Sequence, residues 1–424
     1  MKEKFEKENT PKLSNLDVKG REISGLDPKF ERFTVLQEGE DYIIREFNKE
    51  VVVDSKPQDH FVFINPEYGD QGYLVEAPHW RTITREGVNA SIETTVGKDF
   101  FYTVNTKGVG YLKPTLKGES NLDQYSDWKR LDEYELEGVY GLGDKEDFFN
   151  SDGSVMQKAR YFADNGLRTE CYWAIAKLKN VIYKSEKKSI QSLQKEGVIP
   201  NRTKIKPEIA LRLLKTNIRV AELKDSDSSR QEVLMREAFD VFNKETKDKN
   251  LDLPELHFDE SESWEIFAKE FTKRMAKNLA VLQNLGYIGW HMHSANITLA
   301  AEIIDIGPYL PGEDYKKDEE FIKKYSGVWR GSLKDMRDIC YDLKFLYQSL
   351  EEVGNIEIDT EELQDSLVRE YSSSLDEKIL EKNKSMEKGE LVNAFAKISR
   401  AVLVENRRLQ PLKSGFDIDD WGVL

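Results

Sequence analysis

Residues Gly289–Tyr309 read GWHMHSANITLAAEIIDIGPY. Two of the five histidines of the chain stand here, His291 and His293, followed by Asn296 and, nine residues later, by Asp305 in a DIG triplet. The residues between are almost all apolar, but Glu302 interrupts them. That excludes a membrane span, which needs about 20 apolar residues. An Asn and an Asp are oxygen donors, and magnesium takes oxygen ligands, usually one or two from protein and the rest from water and substrate phosphates. A glycine two residues after the Asp lets the chain turn sharply past such a ligand. The plainer alternative has Asn296 capping a turn and Asp305 ending a strand. HMH at 291–293 would put both imidazoles on one face of a strand, as zinc hydrolases require. A third histidine would have to come from His60, His79 or His257, so a structural histidine beside the loop is the preferred reading.

Outward from this stretch the chain changes character. Residues 1–30 are polar and lysine-rich and read as an arm. Short β-type runs then follow, DYIIREF, EVVVD, HFVFINP, GYLVEAP and FFYTVNT. Residues 112–151 read as an acidic, turn-rich insertion. A helix is predicted over 154–165, and NVIYKS and PEIALRLL read as strands. From about Ser228 the pattern is helical almost throughout. In SWEIFAKEFTKRMAKNLAVLQNLGY, Trp264, Phe267, Phe271, Met275, Leu279 and Leu282 recur at helical spacing, with Ser261 or Ser263 as the expected cap and Gly286 as the expected stop. LKDMRDICYDLKFLYQSLEEV and LVNAFAKISRAVLVENRRL read as further packed helices. The expected class is therefore α+β, with a β-rich lobe over 31–225 and a helical lobe over 226–424 that carries 289–309, the order found in a two-lobed protein-kinase-like fold.

The formal net charge of the 424 residues is -15, which argues against nucleic acid and anionic membrane as partners. Two cysteines in a chain this long argue against a disulfide framework and for a reducing compartment. The opening residues lack the apolar core of a signal peptide, so a cytoplasmic protein is expected.

Three further motifs suit phosphate. Lys107 follows a strand in NTKGVG, where a lysine can act as a point charge; a surface lysine before a turn is the bland alternative. NPEYGDQG, Asn65–Gly72, has two glycines that permit close backbone approach to an anion, or simply a hairpin turn. Arg212 and Arg219 are seven apart, an odd spacing that puts them on opposite faces of a strand unless Lys215–Asn217 turns. Two such arginines can clamp phosphate, with little expected effect on folding, or can both be solvated.

In order and spacing, NPEYGDQG, NTKGVGYLKP, SDGS, NGLRTE, ALRLLKTNIRVAEL and GWHMHSANITLAAEIIDIGPY resemble the selenoprotein O family, kinase-fold protein adenylyltransferases (AMPylases). The matching pieces span roughly residues 60–315, and DIG matches the D-x-G metal turn of kinases. The resemblance implies that Gly69, Gln71 and Gly72 lie in a first nucleotide-contacting loop and that Asp152 and Gly153 are a second nucleotide-contacting pair. It makes Lys107 the phosphate lysine, Arg212 and Arg219 phosphate arginines, and Asn296 and Asp305 ligands to Mg²⁺ or Mn²⁺. ATP would bind inverted relative to kinases, so that AMP passes to an acceptor hydroxyl such as that of a protein Ser, Thr or Tyr.

The chain departs from the family pattern in five places. Gly72 replaces an arginine. The link from Lys107 to Asp152 is much longer. No glutamate lies in 154–165 to pair with Lys107. The last residues, DIDDWGVL, carry no cysteine or selenocysteine. Most sharply, Ala295 stands where the family has its catalytic Asp. By nature or by an introduced change, the chain as written lacks that base. An inactive adenylyltransferase is expected, with a nucleotide-binding pseudokinase scaffold or a phosphotransferase on the same fold as the alternatives.

Overall fold

The computed structural model describes residues 33–64, 82–84, 87–107, 142–143, 155–183, 186–197, 206–224, 228–289, 292–307, 309–311, 328–382 and 387–409. The expected arm, Gly69, Gln71, Gly72, Asp152, Gly153, His291 and nearly all of the 112–151 insertion lie outside them. The chain divides into two compact units. One comprises Met1–Gln157 and Cys171–Asn217, the other Lys158–Glu170 and Ile218–Leu424. The division thus falls after Asn217 rather than at 225, and residues 158–170 belong with the helical unit.

The first unit is built on antiparallel strands. In chain order they are β1 Phe33–Val35, β2 Tyr42–Phe47, β3 Val51–Val52, β4 Val62–Ile64, β5 Thr82–Thr84, β6 Gly87–Val96, β7 Asp99–Lys107, β8 Leu142–Gly143, β9 Cys171–Leu178, β10 Val181–Tyr183, β11 Glu186–Lys188 and β12 Lys206–Leu214. An eight-stranded sheet runs β2-β9-β12-β7-β6-β3, with β5 on β6 and β8 on β12. Its inner strands β9, β12 and β7 are buried on both faces, from Tyr172 to Ala176, Ile209 to Leu214 and Phe101 to Thr106. A strand covered on both sides shows no alternation. This is why CYWAIAKL, the run that became β9, carries no period-two signal, and why FFYTVNT does so only through its β-branched and aromatic content. β6 escaped for the opposite reason: GVNASIETTV is largely polar and has a register shift between Ser91 and Thr94.

The second unit is mostly helical. Helix Ser261–Asn284 packs against Thr360–Ser374 and Val328–Gly354, and Lys388–Ser399 packs on those two in turn. All six residues of the predicted stripe on Ser261–Asn284 are buried. Gly286 ends that helix as expected, at φ +73°, the left-handed conformation that costs glycine least. Its start differs. Glu260 is the N-cap residue and makes no side-chain cap, while Ser263 Oγ accepts from the N–H of His257 (2.9 Å). Ahead of the helix Glu260 N–H donates to the His257 carbonyl (3.1 Å), and Ser263 N–H donates to the Glu260 carbonyl (3.1 Å). Trp264 then donates its indole N–H to the Phe258 carbonyl (2.9 Å). Both cysteines are free, and burial pushes the Cys171 thiol up to about 12. Among the described residues no helix is long and apolar enough to cross a membrane.

At the far end of Val328–Gly354 the backbone meets the Trp264 ring. A Cβ on Gly354 would fall 2.7 Å from indole Cδ2 and 3.0 Å from Cε3, atoms of a rigid, buried ring. Overpacking of this kind costs about 1–3 kcal/mol. Gly354→Ala is expected to lower the unfolding free energy by that amount, measured by urea denaturation followed by circular dichroism; an unchanged value would place the helix end further from Trp264.

Candidate functional site

The apolar stretch between Asn296 and Asp305 is neither helix nor strand core but a tight hairpin. Ile297 bridges Ile303 antiparallel, Thr298 N–H donates to the Glu302 carbonyl (3.0 Å), and Ala301 N–H donates to the Thr298 carbonyl (2.8 Å). The two polar side chains inside the run close on each other, Thr298 Oγ1 to Glu302 Oε2 at 3.1 Å. Ala301 takes φ +58° at the turn. The hairpin converts a nine-residue separation into adjacency: Ile304 N–H donates to the Asn296 carbonyl (3.0 Å), and Asp305 is the next residue. Asn296 itself ends a single 3-10 turn, Ser294–Asn296, entered from His293.

Two extended segments flank the hairpin. On one side Val220 N–H donates to the Ile297 carbonyl (2.9 Å) and Leu299 N–H to the Ile218 carbonyl (2.8 Å), so that Arg219 bridges Thr298. On the other, Ile303 N–H donates to the Arg168 carbonyl (2.9 Å) and Thr169 Oγ1 to the Ile303 carbonyl (2.6 Å). Arg168 fastens the turn as well, Nε to the Ala300 carbonyl at 2.5 Å, and pairs with Glu245 of helix Ser228–Asp248, Nη1 to Oε1 at 2.6 Å. Asn278 of helix Ser261–Asn284 accepts from Arg168 N–H (3.0 Å) and donates to the Ala301 carbonyl (2.8 Å), which holds the left-handed residue.

Asp305 sits at φ +56°, a conformation uncommon outside glycine and enriched at functional turns. Two side chains fix the turn after it, and a third holds the entry to the stretch. Glu170 Oε1 accepts from Ile306 N–H (3.3 Å). Lys158, on helix Val155–Asp164, donates from Nζ to the Gly307 carbonyl (2.8 Å) and the Tyr309 carbonyl (3.1 Å). Asp335 Oδ2, on helix Val328–Gly354, accepts from Gly289 N–H (2.8 Å) at the entry to the stretch. A Cβ at Gly289 would meet Met292 Cγ at 2.6 Å and Tyr309 Cζ at 3.2 Å, so the entry is packed against the exit.

At the centre, Arg219 Nη1 lies 3.2 Å from Asp305 Oδ2 and 3.5 Å from Asn296 Oδ1, and it donates to the Ala295 carbonyl. Four sequence-chosen residues, Arg219, Ala295, Asn296 and Asp305, therefore meet in the second unit. The two side-chain oxygens already converge on a cationic nitrogen, and one neutral and one charged oxygen are a donor set magnesium accepts. The pair does not make a closed metal site by itself. Among the described residues no group of three or more His, Cys, Asp or Glu is placed to hold an ion. Met292 is buried and His293 exposed, and His291 lies outside the described residues.

Lys107 and Arg212 belong to the first unit. Arg212 is paired with Asn105 across β12 and β7, and Ala210 with Lys107, so Lys107, Asn105 and Arg212 share one face of the sheet. The solvated-arginine alternative is excluded: Arg212 is fully buried, with Nε at 2.9 Å and Nη2 at 2.6 Å from Asn105 Oδ1. Asn105 in turn donates to Asn89 Oδ1 (2.8 Å), its partner on β6. The expectation that this arginine leaves folding untouched needs correcting, because such a buried row is part of the sheet's own bonding.

Lys158, Glu170, Arg168, Asn278 and Asp335 were not singled out from the sequence. Glu170 and Arg168 lie in NGLRTE, one of the quoted motifs; the others carry no local signal. No protein-family model matches the chain, and no curated protein matches it.

Two outcomes follow from this geometry. Losing a buried charged hydrogen-bond donor costs about 1.5–3 kcal/mol, so Arg212→Ala should lower stability by that order in chemical denaturation without ligand; no loss would leave the Asn105 bonds energetically empty. Burial pulls Lys158 down from 10.5 to about 8. Between those values the unfolded chain holds the proton more than the folded one does, so stability rises as pH increases through that window. The stability of the wild type relative to Lys158→Met should therefore grow between pH 8 and pH 10; a flat or falling difference would contradict the burial of a charged amine.

Proposed function

We propose that this chain is a nucleotidyltransferase of the selenoprotein O type on a two-lobed kinase-like fold, taking Mg-ATP or Mn-ATP and passing AMP to a hydroxyl of a protein or other acceptor. The observation that carries the reading is the convergence of the Asn296 and Asp305 oxygens on one cationic nitrogen, in a D-x-G turn whose aspartate is held in the left-handed region. Asn296 and Asp305 would hold the divalent ion, which when bound neutralises charge on the phosphate oxygens. Arg219 offers a planar fork for a phosphate. Lys107 is assigned to phosphate as a point charge at the end of β7, on the sheet face it shares with Arg212. In the transfer the acceptor oxygen bonds to the α-phosphorus, the bond from that phosphorus to the β-bridging oxygen breaks, pyrophosphate leaves, and the hydroxyl proton goes to a base. The family's base position is Ala295, whose side chain is a methyl group. A cytoplasmic setting goes with this reading.

A second reading, a nucleotide-binding scaffold without turnover, has Ala295 in its favour, together with the engagement of its carbonyl by Arg219. A phosphotransferase on the same fold is the third. Product mass separates them. Candidate acceptors incubated with ATP and Mg²⁺ or Mn²⁺ should gain the mass of AMP, not of phosphate. A positioned general base contributes about 10²–10⁴-fold, so Ala295→Asp should raise AMP incorporation by that factor over the chain as written. If the chain as written is already active and His293→Ala abolishes turnover, the exposed His293 is the base. If none of the three proteins transfers either group to any acceptor, itself included, the scaffold reading stands.

A further inference from the structure

We propose that Arg219 is a resident cation of the Asn296–Asp305 site, so that the site admits a divalent metal readily only together with a polyphosphate. This rests on the metal reading above and deepens it by naming the ligand class. Three oxygens from residues 295–305, the Ala295 carbonyl, Asn296 Oδ1 and Asp305 Oδ2, surround one guanidinium nitrogen. The Arg219 side chain is 3% exposed and that of Asp305 19%. A metal ion bound by the same two side-chain oxygens would bring a like charge to within a few ångströms of that nitrogen, where repulsion is poorly screened. Arg219 therefore has to give up Asp305 when metal enters. A buried guanidinium released from its carboxylate is costly unless another anion meets it. A phosphate carried in by the metal is such an anion, and it suits the planar guanidinium whose Nη1 now meets the carboxylate. Free metal brings none. Metal and polyphosphate binding are thus positively coupled through this one side chain, and by linkage the coupling is reciprocal.

The test uses the full chain, calorimetry with Mn²⁺ alone and with preformed Mn²⁺–tripolyphosphate, and the variants Arg219→Gln and Asp305→Asn. Couplings of this kind are typically 5–150-fold, so Arg219→Gln is expected to bind Mn²⁺ alone about tenfold more tightly than wild type, and to bind Mn²⁺–tripolyphosphate more weakly. A residue serving phosphate only would show the second effect without the first. Mn²⁺ affinity unchanged or reduced in Arg219→Gln, with Asp305→Asn still losing Mn²⁺, overturns the resident-cation role and leaves the metal site standing. If Asp305→Asn binds Mn²⁺ and its tripolyphosphate complex as wild type does, the metal reading falls and this inference with it. Should Arg219→Gln fail to fold, a crystal structure of the wild type with Mn²⁺ and tripolyphosphate decides. Arg219 turned from Asp305 onto phosphate supports the proposal, and an intact Arg219–Asp305 contact beside bound metal overturns it.

Discussion

Arg168 carries the hairpin on which the candidate site is built. Its carbonyl takes the Ile303 N–H, its Nε holds the Ala300 carbonyl in the turn, its own N–H is received by Asn278, and its guanidinium closes on Glu245. Glu245 is almost wholly buried and also faces Arg274 (3.3 Å) and Lys249 (3.4 Å). Burial, with the neighbouring Arg168 charge, pulls Arg274 down to about 10. A buried ion pair of this sort adds little net stability compared with apolar residues of the same shape. Its effect here is geometric: it ties the turn of the hairpin to one long helix while Asn278 ties it to another.

That fixity gives the left-handed aspartate its meaning. Aspartate tolerates φ +56° better than most side chains, but it is held there uniquely only where its surroundings fix it. Around Asp305 they do. Asn296 is bonded to Ile304 just before it, Glu170 to Ile306 just after, and Lys158 to Gly307 beyond. The carboxylate is thereby aimed at the same point as the Asn296 amide oxygen, and Arg219 lies at that point. One arrangement thus accounts for the strain, the convergence of oxygens and the buried arginine.

The sequence disclosed what repeats along the chain and concealed what closes across it. Helix Ser261–Asn284 was legible because Trp264, Phe267 and Phe271 mark a period, β2 and β7 because of their β-branched and aromatic residues, and β12 as a mainly aliphatic run. β9 was not: buried on both faces it has no alternation to read, and its two alanines and single β-branched residue give little β signal of their own. Asn296 and Asp305 stood out by residue type and by the glycine after the aspartate. The hairpin that unites them was not, because it depends on Arg168, Asn278 and Glu245, the last two of which lie in regular helices and look like ordinary polar positions. Arg212 and Arg219 were legible as a pair, but their burial and separate partners were not, since a spacing of seven says nothing about which unit each joins.

The central claim is that Asp305, with Asn296, forms a cation position serving a nucleotide. Titration calorimetry of Mg-ATP into the chain as written and into Asp305→Ala addresses it directly. Because Asp305 supplies the only full negative charge of the pair, Asp305→Ala should lose most of the Mg-ATP affinity while the metal-free thermal transition stays cooperative. Equal Mg-ATP affinity in the two proteins, or no binding by the chain as written, would contradict it.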